Sequence, residues 1–174
     1  MPHIKSQSQP CEPQLTVVPM DAAHARHVCS WRYESPYNLY GWPAWEQMER
    51  DEFEFGSAAI RESQYVSIVT DKQELAGFGQ LFPMAGVTRL GMGLRPDFCG
   101  QGLGAQLALL LAHEALKRKP DHEVDLEVLT WNERAIRAYT KAGFLITDTY
   151  FRPTPEGEAE FHCMVFQPQH CRPE

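Results

Sequence analysis

The stretch RPDFCGQGLGAQL, residues 95–107, packs three glycines into positions 100–104 and then turns into a leucine-rich run. Ordered glycine carries the largest backbone-entropy penalty of any residue, so the cluster needs a reason. A glycine-rich turn that leaves a strand and opens into a helix presents backbone N–H groups and a positive helix end to an anion, usually phosphate. The plainer reading of this segment by itself is a tight connection into a buried helix. Its spacing excludes two other phosphate loops. No G-x-x-x-x-G-K-[ST] is present, and Gly100-x-Gly102-x-Gly104 is not the dinucleotide G-x-G-x-x-G.

The flanking sequence supplies the elements that such a loop would join. Upstream, VTRLGMGL (87–94) reads as a strand whose two glycines mark a bulge or a close approach. Downstream, Leu103, Leu107, Leu110 and Leu111 recur at helical spacing, so a helix is expected over 101–118, closed by KRKP. VDLEVLT (124–130) alternates as a strand. NERAIRAYTKAG then gives a second helix, with Asn132 as N-cap and Gly143 at its C-terminal end.

Further out, LTVVP (15–19) is an expected strand and residues 20–32 a helix capped by Asp21. YVSIVT and LAGFGQLF flank the turn DKQE as a hairpin, and FLITDTYF and AEFHCMVF flank TPEG as another. Between them, WRYESPYNLYGWPAW (31–45) concentrates three tryptophans and three tyrosines in a loop or broken helix, and a short acidic helix is expected over 43–53. The order β-α-α-β-β-β-α-β-α-β-β predicts a mixed, mostly antiparallel α/β sheet of about seven strands flanked by about four helices.

Bulk properties bound the class. The 174 residues suit one domain, expected over 14–167, with flexible segments at 1–13 and 168–174. A net charge of −7 argues against a nucleic-acid partner and fits a cationic or polar small substrate better. Five scattered cysteines form no C-x-x-C pair, and no apolar run approaches membrane-spanning length. The expectation is therefore a reduced, cytoplasmic protein with no membrane partner. His24 and His27 share a helix face without a third ligand, so no metal is expected.

LRPDFCGQGLGAQL resembles the acyl-CoA-binding segment of the GNAT acyltransferases, V-x-P-x-x-R-G-x-G-[IL]-G-x-x-L. LEVLTWNERAIRAYTKAGF (126–144) is similar to that family's L-E-V-x-x-x-N-x-x-A-[IL]-x-x-Y-x-x-x-G-F. The two blocks stand in the family's order and spacing. The resemblance implies an N-acetyltransferase that moves an acetyl group from acetyl-CoA to an amine of a small molecule or peptide N-terminus. The amine would attack the thioester directly, through a tetrahedral intermediate.

It also implies roles for individual residues. Cys99, Gly100, Gln101, Gly102, Leu103 and Gly104 would cradle the pyrophosphate, and the Leu94 N–H would face the thioester oxygen. Asn132 and Ala135 would line the cofactor, and Tyr139 would protonate the departing thiolate. Glu127, on the strand before Asn132, is the candidate base, taking a proton directly or through water. Alternation equally allows Asp125, Glu127 and Leu129 to form a merely hydrated face.

Cys99 departs from the family pattern, which has Arg or Gln there. A thiol beside a helix N-terminus is expected to have a lowered pKa, which would permit a mixed disulfide with coenzyme A. A small tolerated substitution is the simpler account. Trp31, Tyr33, Glu34, Tyr37 and Tyr40 are candidates for an aromatic acceptor site, against the alternative that these rings complete the core beneath a loop. Two other readings stay open: a non-catalytic acyl-CoA-binding sensor, and an interaction module with an empty glycine turn. Acetyl-CoA and an amine are the expected partners, and a homodimer is the assembly to test.

Overall fold

The structure is a computed structural model that describes residues 12–168. Apart from Glu12, Pro13 and Pro168, the terminal segments expected to be flexible lie outside the described residues. The chain runs β1 (Leu15–Pro19), α1 (Ala22–Cys29), α2 (Trp45–Arg50), α3 (Ala58–Gln64), β2 (Tyr65–Thr70), β3 (Leu75–Met84) and β4 (Val87–Leu94). It continues with α4 (Leu103–Arg118), β5 (Glu123–Leu129), α5 (Glu133–Lys141), β6 (Phe144–Thr154) and β7 (Gly157–Phe166). Single turns of 3-10 helix at Tyr37–Tyr40, Glu54–Gly56 and Pro96–Phe98 link these elements.

The seven strands form one sheet in the order β1-β2-β3-β4-β5-β7-β6. Every neighbouring pair is antiparallel except β4 with β5, which is parallel. The expected seven-stranded, mostly antiparallel sheet is thus what the chain forms. The structure adds one helix, α3, to the four expected from the sequence. It is seven residues long, has no buried residue and takes no side-chain cap bond from Ser57. It therefore carries no apolar period that a sequence reading could detect.

Strand alternation divides the core between the two faces of the sheet. On β2, Val66 and Ile68 point into a cluster built around α4, while Tyr65 points into a second cluster with Trp31, Trp45, Met48, Phe55 and Phe78. Helix α4 is the larger contributor. Leu103, Leu107 and Leu111 are its fully buried leucines, packed with Leu126, Phe144 and Met164 from the sheet. Leu111 sits at the centre of this face, fully buried. Leu111→Ala should lower the unfolding free energy by about 2–5 kcal/mol in chemical denaturation, and Leu111→Met by about 1 kcal/mol.

Candidate active site

A cleft opens where β4 and β5 part. The two strands pair only over Val87–Leu90 and Glu123–Leu126. Beyond that point β4 stays on β3 as far as Leu94, while β5 stays on β7 as far as Leu129. The gap between them is a cleft of about 550 Å³. Gly93 helps to hold this geometry, since a Cβ there would lie 2.6 Å from the Phe78 ring.

The open edge of β4 has defined polarity. The Arg95 N–H donates to the Ala76 carbonyl at 2.8 Å. Alternation along an antiparallel ladder then turns the N–H and C=O of Leu94 to the opposite edge, toward the cleft. The Tyr33 hydroxyl donates to that Leu94 carbonyl at 2.6 Å. Burial pushes the Tyr33 phenol well above its ordinary value, so it remains a donor.

The glycine loop forms one wall. Gly100 and Gly102 have φ of 76° and 79°, a left-handed conformation that side chains disfavour, and the space around Gly100 is open. Gly102 caps α4 and offers no side-chain acceptor to the first N–H groups of the helix, which suits them to meet an anion. Gly104 acts on packing instead. A Cβ there would lie 3.2 Å from the Cβ of Ala138, so its absence lets α4 and α5 approach closely. The side chains of two other loop residues point elsewhere, which leaves their backbone groups on the loop. The Gln101 amide donates to the Asp97 carbonyl at 2.8 Å, and Leu103 is buried in the core.

Cys99 lines the cleft, but its thiol is shifted opposite to the sequence expectation. Burial pushes it up, with Asp97 adding in the same direction and Arg134 only partly opposing. The reason is positional. Cys99 follows the Pro96–Phe98 turn, and α4 begins only at Leu103, so the thiol does not sit at the helix end.

Helix α5 forms the facing wall. The Asn132 carboxamide caps it, accepting from the Ala135 N–H at 3.2 Å and donating to the Tyr40 hydroxyl at 3.0 Å. Tyr139 lies seven residues on, two turns along the same face, and lines the cleft with Ala135. Burial, reinforced by nearby Tyr40, pushes the Tyr139 phenol well above its ordinary value. The helix also brings Arg134, Arg137 and Lys141 to the cleft, three cations that were not singled out from the sequence. Their i, i+3, i+7 spacing is the signal that could have found them.

Glu127 reaches the cleft from β5, at the head of an ion cluster. Arg89 donates to Asp125 from two nitrogens, at 3.0 and 2.7 Å, and to Glu127 Oε1 at 2.9 Å. The other oxygen, Oε2, accepts from the Tyr150 hydroxyl at 2.6 Å and from Arg152 Nε at 3.1 Å. The face is therefore not simply hydrated: Asp125 is buried and its charge is matched.

The aromatic segment divides. Tyr33, Tyr37 and Tyr40 line the cleft, with Arg134 stacked 3.8 Å from the Tyr37 ring centroid. Trp31 is only 5% exposed and packs on Phe78 in the core, while Glu34 is exposed and outside the cleft lining.

Residues 25–144 match the model of the acetyltransferase (GNAT) family. The chain belongs to that family and is an acyl-CoA-dependent N-acetyltransferase. Comparison with curated proteins returned no significant match. Among solved structures, a spermidine N-acetyltransferase chimera of Vibrio cholerae SpeG and hSSAT aligns with a TM-score of 0.71 at 14% identity, covering 88% of this chain and 95% of that one. The Escherichia coli ribosomal-protein-S18-alanine N-acetyltransferase gives 0.61 at 21% identity, over 88% and 93%. AAC(6')-Ib in complex with ribostamycin and coenzyme A gives 0.67 at 22% identity, over 92% and 98%. At these identities the likeness establishes the fold. Among the described residues no helix is long and apolar enough to cross a membrane.

The ion cluster yields a stability prediction. Arg89→Met would leave the buried Asp125 carboxylate without its cation, and should cost about 3 kcal/mol in urea unfolding. Arg152→Met, at the exposed end of the same cluster, should cost less than about 1 kcal/mol.

Proposed function

We propose that the protein transfers an acetyl group from acetyl-CoA to an amine of a small molecule or a peptide N-terminus, by direct attack on the thioester. The observation that carries this reading is the parted β4–β5 edge. Leu94, the glycines of the loop and Tyr139 all line the cleft it opens, which supports the roles assigned to them here.

Charge inside the cleft favours the same assignment. Arg134, Arg137 and Lys141 line it along α5, and Glu127 is the only acid among the described cleft residues, so a chain of net charge −7 presents a cationic surface here. That surface suits the phosphates of coenzyme A, which would lie between the glycine loop and α5, with the pantetheine arm along the open edge of β4. The Leu94 N–H would stabilise the oxyanion of the tetrahedral intermediate.

The proton balance assigns the remaining roles. The acceptor ammonium gives one proton to Glu127, and the resulting amine attacks the carbonyl carbon. The C–S bond breaks, and the thiolate takes the Tyr139 proton. The second proton lost from nitrogen restores the phenol through solvent, and Glu127 releases its proton to solvent as the net proton of the reaction. Because burial raises the Tyr139 phenol, it stays protonated and able to act as an acid beyond the ordinary range near pH 10. Tyr33, Tyr37 and Tyr40 would shape the acceptor entrance.

Calorimetric titration with acetyl-CoA and with coenzyme A tests the cofactor half of this reading. Micromolar binding that weakens as ionic strength rises is expected; no binding at millimolar cofactor would remove the reading altogether. Tyr139→Phe tests the chemistry. It should lower kcat by about 10²–10⁴-fold with little change in acetyl-CoA affinity. In the wild type, kcat should show no loss with a midpoint near pH 10, the ordinary phenol value. Undiminished turnover by Tyr139→Phe would take this residue out of the mechanism.

A further inference from the structure

Arg152 has no chemical role in this scheme, yet its guanidinium stands where the scheme needs space for the acceptor. The residue belongs to β6, the outermost strand, and its side chain reaches across β7 to the cleft. Nε donates to Glu127 Oε2 at 3.1 Å, and Cζ lies 4.0 Å from the ring centroid of Phe161, another cleft residue. A carboxylate and an aromatic face converging on one cation form a recognition site for ammonium and guanidinium groups. Here the chain supplies the cation itself.

The two guanidiniums on Glu127 differ in how firmly they are held. Arg89 uses Nε and both terminal nitrogens on two carboxylates, and its side chain is 28% exposed. Arg152 bonds Glu127 through Nε alone, with its side chain 44% exposed. Among the described residues its terminal nitrogens take no carboxylate. Exposed, singly bonded pairs of this kind are weak and exchange readily. Arg89 is thus a fixed counter-ion and Arg152 a replaceable one.

We propose that the Glu127–Phe161 corner is the subsite for the acceptor's ammonium group, and that Arg152 is an internal stand-in displaced when the acceptor binds. The proposal rests on the acetyl-transfer reading and specifies how the amine is recognised. Displacement opens Oε2 to the acceptor N–H at the stage when the proton leaves. The Tyr150 hydroxyl stays on the same oxygen and keeps the carboxylate oriented. A selectivity follows. An acceptor must outcompete a tethered guanidinium, so fully protonated ammonium groups gain entry while weakly basic amines leave Arg152 in place.

The test compares wild type, Arg152→Ala and Arg152→Lys in thiol-release assays with acetyl-CoA. Three amine probes are used: spermidine, ribostamycin and a peptide with N-terminal alanine. For the probes that react, Arg152→Ala should lower KM by about fivefold, near the upper limit for an exposed ion pair, with a much smaller change in kcat. Arg152→Lys should restore the wild-type KM. An unchanged or raised KM in Arg152→Ala, or its failure to turn over any probe, overturns the proposal. Calorimetry with acetyl-CoA on the same three proteins separates the two levels of failure. Cofactor binding without a KM effect removes the subsite alone, whereas absence of cofactor binding removes the acyl-transfer reading beneath it.

Discussion

The parting of β4 from β5 is the constraint on which the rest of the site depends. A parallel pair that stops after four residues leaves one strand edge with unpaired backbone groups in the middle of an otherwise continuous sheet. Such groups demand partners when they are removed from water. At Leu94 the carbonyl finds one in Tyr33, while the N–H of the same residue turns to the cleft. The opening is thus a defect in the sheet that an extended ligand can complete, with α4 and α5 entering on either side as its walls.

Charge is organised along this opening in a way that net charge conceals. The acidic total suggested a cationic substrate, yet most charged groups on the cleft are basic. Arg134, Arg137 and Lys141 stand on α5, facing the glycine loop. Glu127, the one acid among the described cleft residues, stands at the apex where the strands divide. A polyanionic cofactor and a cationic acceptor therefore fit opposite ends of one cleft. Short-range fields inside a low-dielectric groove outweigh the summed charge of a distant surface.

What could be read from the sequence was what local rules govern. The glycine loop, α4, the Asn132 cap and Tyr139 two turns later all follow from spacing within one segment. Partners joined across the sheet were not legible. Arg89 meets Asp125 and Glu127 across 36 and 38 residues, and Arg152 and Tyr150 reach Glu127 from another strand pair. The aromatic segment shows the same limit. Trp31 and Tyr33 are two residues apart, yet one completes the core and the other lines the cleft. That choice is made by where Phe78 and Leu94 lie, not by anything in residues 31–45. Cys99 failed for a related reason: the rule for thiols at helix ends was sound, but the helix starts four residues later and burial decides the shift.

The ion cluster around Glu127 is difficult to explain as a device for stability. Buried and half-buried ion pairs often contribute no more than well-packed apolar side chains of the same volume, because desolvation offsets their attraction. What the cluster does provide is orientation. Arg89, held by Asp125, fixes one oxygen of Glu127, and Tyr150 fixes the direction of the other. Burial and the bond to Glu127 keep the Tyr150 phenol above its ordinary value, so it persists as a donor as pH rises. Such a carboxylate is aimed rather than free, and the exposed Arg152 holds it by a single bond at the cleft. An arrangement with one rigid counter-ion and one loose one suits the proposed role, in which the site first attracts an ammonium group and then removes its proton.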